Sequence, residues 1–212
     1  MLGGFKYQVP NKYQTSAKCK AGAIHLKHDF NEPEEVKLIA LICAGNQGAF
    51  ESLYRLYFSR LARFLDSMTR STTLLEEIIN DTMLVVWRRA ASFDHSCKVS
   101  TWIFSIAYRK ALKALKSQDE PLQSDPDLEP GNALHQPEAE FDKVQLRKQL
   151  NMALAAITTE QRTVVNLTYY HGMGYEEIAV IMDCPVNTVK TRMFHARRRL
   201  KILLAEQARL TS

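Results

Sequence analysis

No apolar run in this 212-residue chain approaches the roughly 20 residues that a membrane-spanning helix needs, and its first residues lack the apolar core of a secretory signal. The expectation is a cytoplasmic protein with no membrane span. Cysteine is sparse: the four residues at 19, 43, 97 and 184 form no CxxC pair, which excludes a disulfide framework and a structural zinc site. His95 and Cys97 stand without a second ligand pair, so no metal and no cofactor is expected. There is no Gly-rich phosphate loop, and the carboxylates of the N-terminal half are scattered rather than clustered. Nuclease or nucleotidyl-transfer chemistry therefore has no visible machinery, and the chain is not expected to be an enzyme. Two further absences are local: residues 117–137 hold no Lys or Arg, and residues 186–201 hold no Asp or Glu.

What is present is helical. The chain is 46% hydrophobic and 24% charged, with a formal charge of +5, enough apolar content for a compact core and a mild bias toward a polyanionic partner. Residues 1–33 carry lysines at 6, 12, 18, 20 and 27 with little periodicity and read as a flexible basic extension. From 34 to 116 apolar positions such as 50, 53, 54, 57, 58, 61, 64, 65 and 68 follow a 3.6-residue period. Ser71-Thr72-Thr73 offers caps for a helix to about Arg89, and Ser100 or Thr101 offers a cap for another to Lys116. Residues 117–137, with four prolines and five acidic residues, cannot continue a helix and read as a flexible acidic linker. A second helical block covers 138–208, with helices expected at about Glu138–Ala156, Thr159–His171, Tyr175–Met182 and from Val186 onward. The fold class is all-α, with two small helical domains.

The end of the chain carries the chemistry. A short helix with Ile178, Ala179 and Met182 on one face is followed by the turn Asp183-Cys184-Pro185 and a longer helix, the spacing of a helix-turn-helix. In that longer helix Val186, Val189, Met193, Ala196, Leu200 and Leu203 make one core stripe. Asn187, Thr191, Phe194, His195 and Arg198 then point away from the core, flanked by Lys190, Arg192, Arg197, Arg199 and Lys201. Six cations lie between 186 and 201. Such a helix fits a DNA major groove, its cations on phosphates and Thr191, Phe194 and His195 near base edges.

The run YEEIAVIMDCPVNTVKTRMFHAR resembles the C-terminal promoter-binding domain of bacterial extracytoplasmic-function (ECF) sigma factors, particularly the sigma-E-like group. EEIINDTMLVVWRR resembles that family's core-polymerase-binding helix, and STWIFSIAYRKALKALK its minus-ten-binding helix. The resemblance implies a sigma region 2 bundle at 34–116 and a sigma region 4 helix-turn-helix at 138–208. It further implies a function: binding core RNA polymerase, directing it to promoter DNA and assisting melting. Glu77, Asn80 and Asp81 fall where the family docks on the beta-prime clamp helices, and region 4 is expected to meet the beta flap. Ser105, Arg109, Lys113 and Lys116 form a stripe suited to the minus-ten strand, with base capture implied for the loop from about Phe93 to Ser100. Trp87 and Trp102 are assigned to apolar faces. Asn187, Thr188, Lys190, Thr191, Arg192, Phe194, His195, Arg197 and Arg198 are the minus-thirty-five candidates. An anti-sigma factor is implied as a further partner, and the linker is implied to thread the polymerase's RNA path.

Departures from the family pattern fall at Asn187, where Gly is common, His195, where Arg is common, Arg109, where Asn is usual, and Ile157-Thr158, in place of Leu-Pro. Promoter preference is where this chain should differ most. The competing reading is a stand-alone helix-turn-helix regulator, which would need dimer symmetry to read paired half-sites. No heptad pattern supplies a dimerisation helix.

Overall fold

The computed structural model describes residues 32–69, 71–118 and 149–210, and among them every regular element is helical. Most of the basic extension and of the acidic linker, and residues 138–148 of the helix expected from Glu138, lie outside the described residues. The N-terminal block contains α1 (Glu32–Cys43), α2 (Gln47–Asp66), α3 (Thr72–Arg89) and α4 (Val99–Gln118). A helical stretch at 149–155 leads into α5 (Thr159–Tyr169), α6 (Tyr175–Met182) and α7 (Val186–Leu210).

Local chemistry explains most boundaries. Pro33 sits in the first turn of α1, where its missing N–H costs nothing, so the helix begins two residues before the expected boundary at 34. Gly45, at φ +81°, ends α1: its N–H reaches the Ile42 carbonyl at 2.9 Å, and the Asn46 N–H reaches that of Leu41 at 3.1 Å. Asn46 then caps α2 by accepting the Ala49 N–H at 2.9 Å. Ser71 caps α3, as its sequence suggests, accepting the Leu74 N–H at 3.3 Å. Helix α4 departs from expectation. Its first bond runs from the Trp102 N–H to the Lys98 carbonyl at 3.0 Å, so Ser100 and Thr101 lie inside the first turn rather than capping it. Helix α5 stops at Tyr169, two residues short of expectation, because Gly172 adopts φ +64° and turns the chain toward α6.

The N-terminal block closes around Leu53, Tyr57, Leu61 and Phe64 of α2, all fully buried at helical spacing against Ile79, Ile103 and Phe104. Each such side chain contributes about 1.5–3 kcal/mol of burial. One polar network enters this core. Glu35 accepts from the Tyr57 hydroxyl at 2.7 Å and from Arg60 at 3.2 Å, and the Arg60 guanidinium lies over the Tyr57 ring at 4.6 Å. Burial pushes the Tyr57 hydroxyl well above its ordinary pKa, the Arg60 charge opposing the shift and Glu35 adding to it.

The two blocks are not beads on a string. Helix α6 packs along α4, and the buried apolar residues of both blocks form one continuous cluster. The reason is that α4 is apolar on two sides. Val99, Ile103, Ile106 and Ala107 are buried along one side, while Phe104, Tyr108 and Ala111, spaced 4 and 3, make a second buried stripe. His171 meets that stripe edge-on, its ring 4.8 Å from Phe104 and 6.2 Å from Phe64.

Candidate nucleic-acid interface

Helix α7 is aimed by the turn before it. Asp183 caps α6 in the left-handed conformation at φ +50°, tolerated by Asp, and the Cys184 N–H returns to the Ala179 carbonyl at 3.1 Å. The Pro185 carbonyl then accepts the Thr188 N–H at 2.9 Å and starts α7. Val189, Met193 and Ala196 are buried, and the opposite side holds Asn187, Lys190, Thr191, Phe194, His195, Arg197 and Arg198, all exposed. Phe194 is 62% exposed, too open to be part of the core. Its ring meets His195 edge-on at 5.5 Å.

Several of these side chains have internal partners. The Thr191 hydroxyl donates to the Asn187 carbonyl at 2.9 Å. Arg197 donates through Nε to the Tyr169 hydroxyl at 3.1 Å, which ties its guanidinium to α5 beside the exposed face of α7. Thr188 and Arg192 are half-buried. Arg192 turns toward the seam, donating to Cys184 Sγ at 3.5 Å and lying in the field of Tyr108 on α4. Burial raises the Tyr108 hydroxyl pKa and Arg192 lowers it.

On α4, Arg109, Lys113 and Lys116 are exposed along one line, but Ser105 is 5% exposed and folded into the helix. Its hydroxyl donates to the Trp102 carbonyl at 2.7 Å and accepts from Arg109 at 3.1 Å. The sequence-based stripe is thus three exposed cations with a buried serine behind them. The loop before α4 is compact. Asp94 accepts the Ser96 N–H at 3.0 Å, a bond that holds its carboxyl below the usual range. His95 adopts φ +59° and packs on Phe93 at 4.6 Å, and Phe93 in turn lies 5.3 Å from Trp102. Trp87 packs edge-on to Phe50 at 5.1 Å, and both tryptophans are half-buried against the core. Trp102, seven residues before Arg109, lies on the same side of α4 as the three cations.

A third surface lies on α3, where Glu77, Asn80 and Asp81 are exposed together with Leu84, which is 43% exposed. Asn80 accepts the Tyr54 hydroxyl at 2.8 Å, and Asp81 pairs with Lys110 of α4 at 2.7 Å. The rings of Tyr54 and Phe58 stack at 5.8 Å along α2. The patch is acidic with apolar edges.

Residues 53–120 match the family model for sigma-70 region 2, and residues 147–200 match that for sigma-70 region 4. The chain is 30% identical over 170 residues to the ECF RNA polymerase sigma-E factor of Salmonella typhimurium, covering 76% of this chain and 88% of that protein. It belongs to the ECF RNA polymerase sigma factor family. A second relative, the ECF RNA polymerase sigma factor RpoE of Cereibacter sphaeroides, is 28% identical over 161 residues, covering 74% of this chain and 86% of its own. The fold is similar to that of the sigma factor RpoE in its complex with the anti-sigma factor NepR from Bartonella quintana. The TM-score is 0.55 at 24% identity, over 74% of this chain and 96% of that one. This sigma factor directs RNA polymerase to promoters, and the stand-alone regulator reading falls away.

Two groups that hold this arrangement together, Tyr169 and Glu177, were not singled out from the sequence. Tyr169 anchors Arg197. Glu177, visible in the sequence three residues after Gly174, accepts the Gly174 N–H at 2.9 Å and so caps α6. The same carboxylate receives Lys98 at 3.1 Å and the Thr101 hydroxyl at 3.3 Å, tying α4 to α6. Near it, burial raises the Glu32 carboxyl pKa, with Lys98 lowering it and Glu35 and Glu177 raising it.

Proposed function

We propose that α7 lies in the major groove of the minus-thirty-five element. Lys190, Arg197 and Arg198 would sit on phosphates, and Asn187, Thr191, Phe194 and His195 against base edges. The observation that carries this reading is the outward face of α7, an exposed Phe194 framed by cations with no acidic residue on the helix between 186 and 201. An exposed aromatic in that setting suits a thymine methyl group better than water. Thr188 and Arg192 flank the groove entrance, and Arg192 reaches DNA by leaving Cys184.

Arg109, Lys113 and Lys116 follow the backbone of the melted minus-ten strand, and the 93–98 loop beside Trp102 receives an unstacked base, assisting opening of the duplex. Ser105 acts behind this surface by orienting Arg109. Glu77, Asn80 and Asp81 dock on the beta-prime clamp helices, with Leu84 and Phe58 supplying apolar edges. The beta flap meets the C-terminal block where Met152 and Ile202 are exposed. An anti-sigma factor is a natural regulator, because the Bartonella quintana relative is described in complex with one. The site of action is the cytoplasm, on nucleoid-associated polymerase; no helix among the described residues is long and apolar enough to cross a membrane.

The test is co-elution with core RNA polymerase. The unaltered chain should migrate with the core, and a chain carrying Asn80→Ala and Asp81→Ala should do so much less while still binding duplex DNA. Unimpaired co-elution of the double variant would remove these residues from the polymerase surface.

A further inference from the structure

Glu177 joins two roles in one carboxylate. Oε2 accepts the Gly174 N–H and belongs to the fold of α6, whereas Oε1 accepts Lys98 and Thr101 from the start of α4. Those two donors converge on one oxygen at the first turn of a 20-residue helix, where unsatisfied N–H groups and the helix dipole favour an anion. Thr101 is fully buried by this contact, while the Lys98 side chain remains 54% exposed.

Lys98 also continues the basic line of α4. It lies eighteen residues, about five turns, before Lys116 and therefore aligns with the exposed cations at the edge of the 93–98 loop. A DNA backbone following the three exposed cations toward the loop arrives at Lys98 and Thr101. The position is taken by a carboxylate of the protein itself.

Resting on the reading of α4 as the minus-ten surface, we propose that Lys98 and Thr101 form a seat for one phosphodiester of single-stranded DNA, which Glu177 fills while α6 is packed on α4. A carboxylate and a phosphodiester both present anionic oxygens to these donors, so one displaces the other. Engagement of the strand then requires α6 to move off α4. Helix α6 keeps its cap as it does so, because the Gly174 bond uses the other oxygen. Glu32 shares the field of Lys98 and remains with the N-terminal block, so its influence is present in both arrangements.

The experiment uses the full chain with a fluorescein-labelled, mixed-sequence single-stranded 12-mer and a mixed-sequence duplex, read by anisotropy across a salt series. Glu177→Gln keeps an amide oxygen for the Gly174 N–H and removes the charge that holds Lys98. It should bind the single strand about two- to five-fold more tightly, the range set by an exposed ion pair, and leave duplex affinity unchanged. Adding Lys98→Ala should abolish the gain and lower the slope of log K against log salt by about 0.7, the value for one single-strand phosphate contact. The slope change should also appear for Lys98→Ala alone, which keeps the test open if Gln at 177 disturbs α6. No gain with Glu177→Gln, an equal gain on both probes, or an unchanged slope with Lys98→Ala overturns the proposal. Failure of the sigma-factor docking assignments is read separately, as loss of co-elution with core polymerase.

Discussion

The outward face of α7 stands clear of the rest of the molecule, whereas α4 is clad on two sides and shows only a narrow basic strip. Both helices carry cations at helical spacing, yet one is a free surface and the other a structural beam. The difference comes from their apolar stripes. Helix α7 has one, through Val189, Met193 and Ala196, so the opposite side is left to solvent. Helix α4 has two, and the second, through Phe104 and Tyr108, is satisfied by the C-terminal block. Within this arrangement the cation-bearing face of α7 is open and that of α4 is partly covered.

The sharpest way to break this contrast is Phe104→Ala. Phe104 is fully buried between Phe64, at 5.1 Å, and His171, so its loss opens a cavity in one block and unseats the other. Stability should fall by about 3–5 kcal/mol in urea unfolding, with the two blocks unfolding in separate phases. A single sharp transition for the variant would show that the seam contributes nothing to cooperativity. A smaller loss, about 1–3 kcal/mol, is expected for Glu35→Ala, which removes the acceptor of the buried Tyr57 hydroxyl. There the unfolding should stay as cooperative as in the unaltered chain, because the seam is spared.

Smaller effects sharpen the comparison at its surfaces. Lys190→Ala and Arg198→Ala should each weaken binding to promoter duplex and reduce its salt slope by about 0.9, with thermal stability unchanged. An unaltered slope would take that residue off the phosphate backbone. The smallest effect is expected on α4: Ser105→Ala removes hydrogen bonds made inside the helix and to Arg109, costing about 0.5–1.5 kcal/mol. Its effect on single-strand binding should be less than that of Arg109→Ala. A larger effect would mean that Ser105 touches DNA itself.

The helix-turn-helix was readable from sequence because its signals are local. Pro185 blocks continuation of α6, Asp183 tolerates the left-handed turn, and the 3 and 4 spacing from Val186 gives the buried face of α7 directly. The start of α4 was misread because Ser100 and Thr101 are good capping residues, while the residue that provides the first carbonyl is Lys98, whose side chain has no capping signature. Packing of α6 on α4 joins segments some seventy residues apart, as the Thr101 to Glu177 bond shows, and neither helix's periodicity names its partner. The second stripe of α4 announced that something must cover it; what covers it is a property of the folded chain. Ser105 falls on the expected stripe and Arg192 on the expected flank, but spacing alone does not show that the first folds into its own helix and the second turns to Cys184.

Promoter-directed transcription by core RNA polymerase is the activity that these surfaces are proposed to serve. The most direct measurement is sequencing of transcripts made on a random promoter library by core RNA polymerase with and without this chain. Transcripts with defined start sites are expected, dependent on the chain, whose templates share two elements at fixed separation, and Phe194→Ala should relax preference only in the upstream one. Transcripts no different from those of core polymerase alone, or templates enriched for a single symmetric operator, would contradict it.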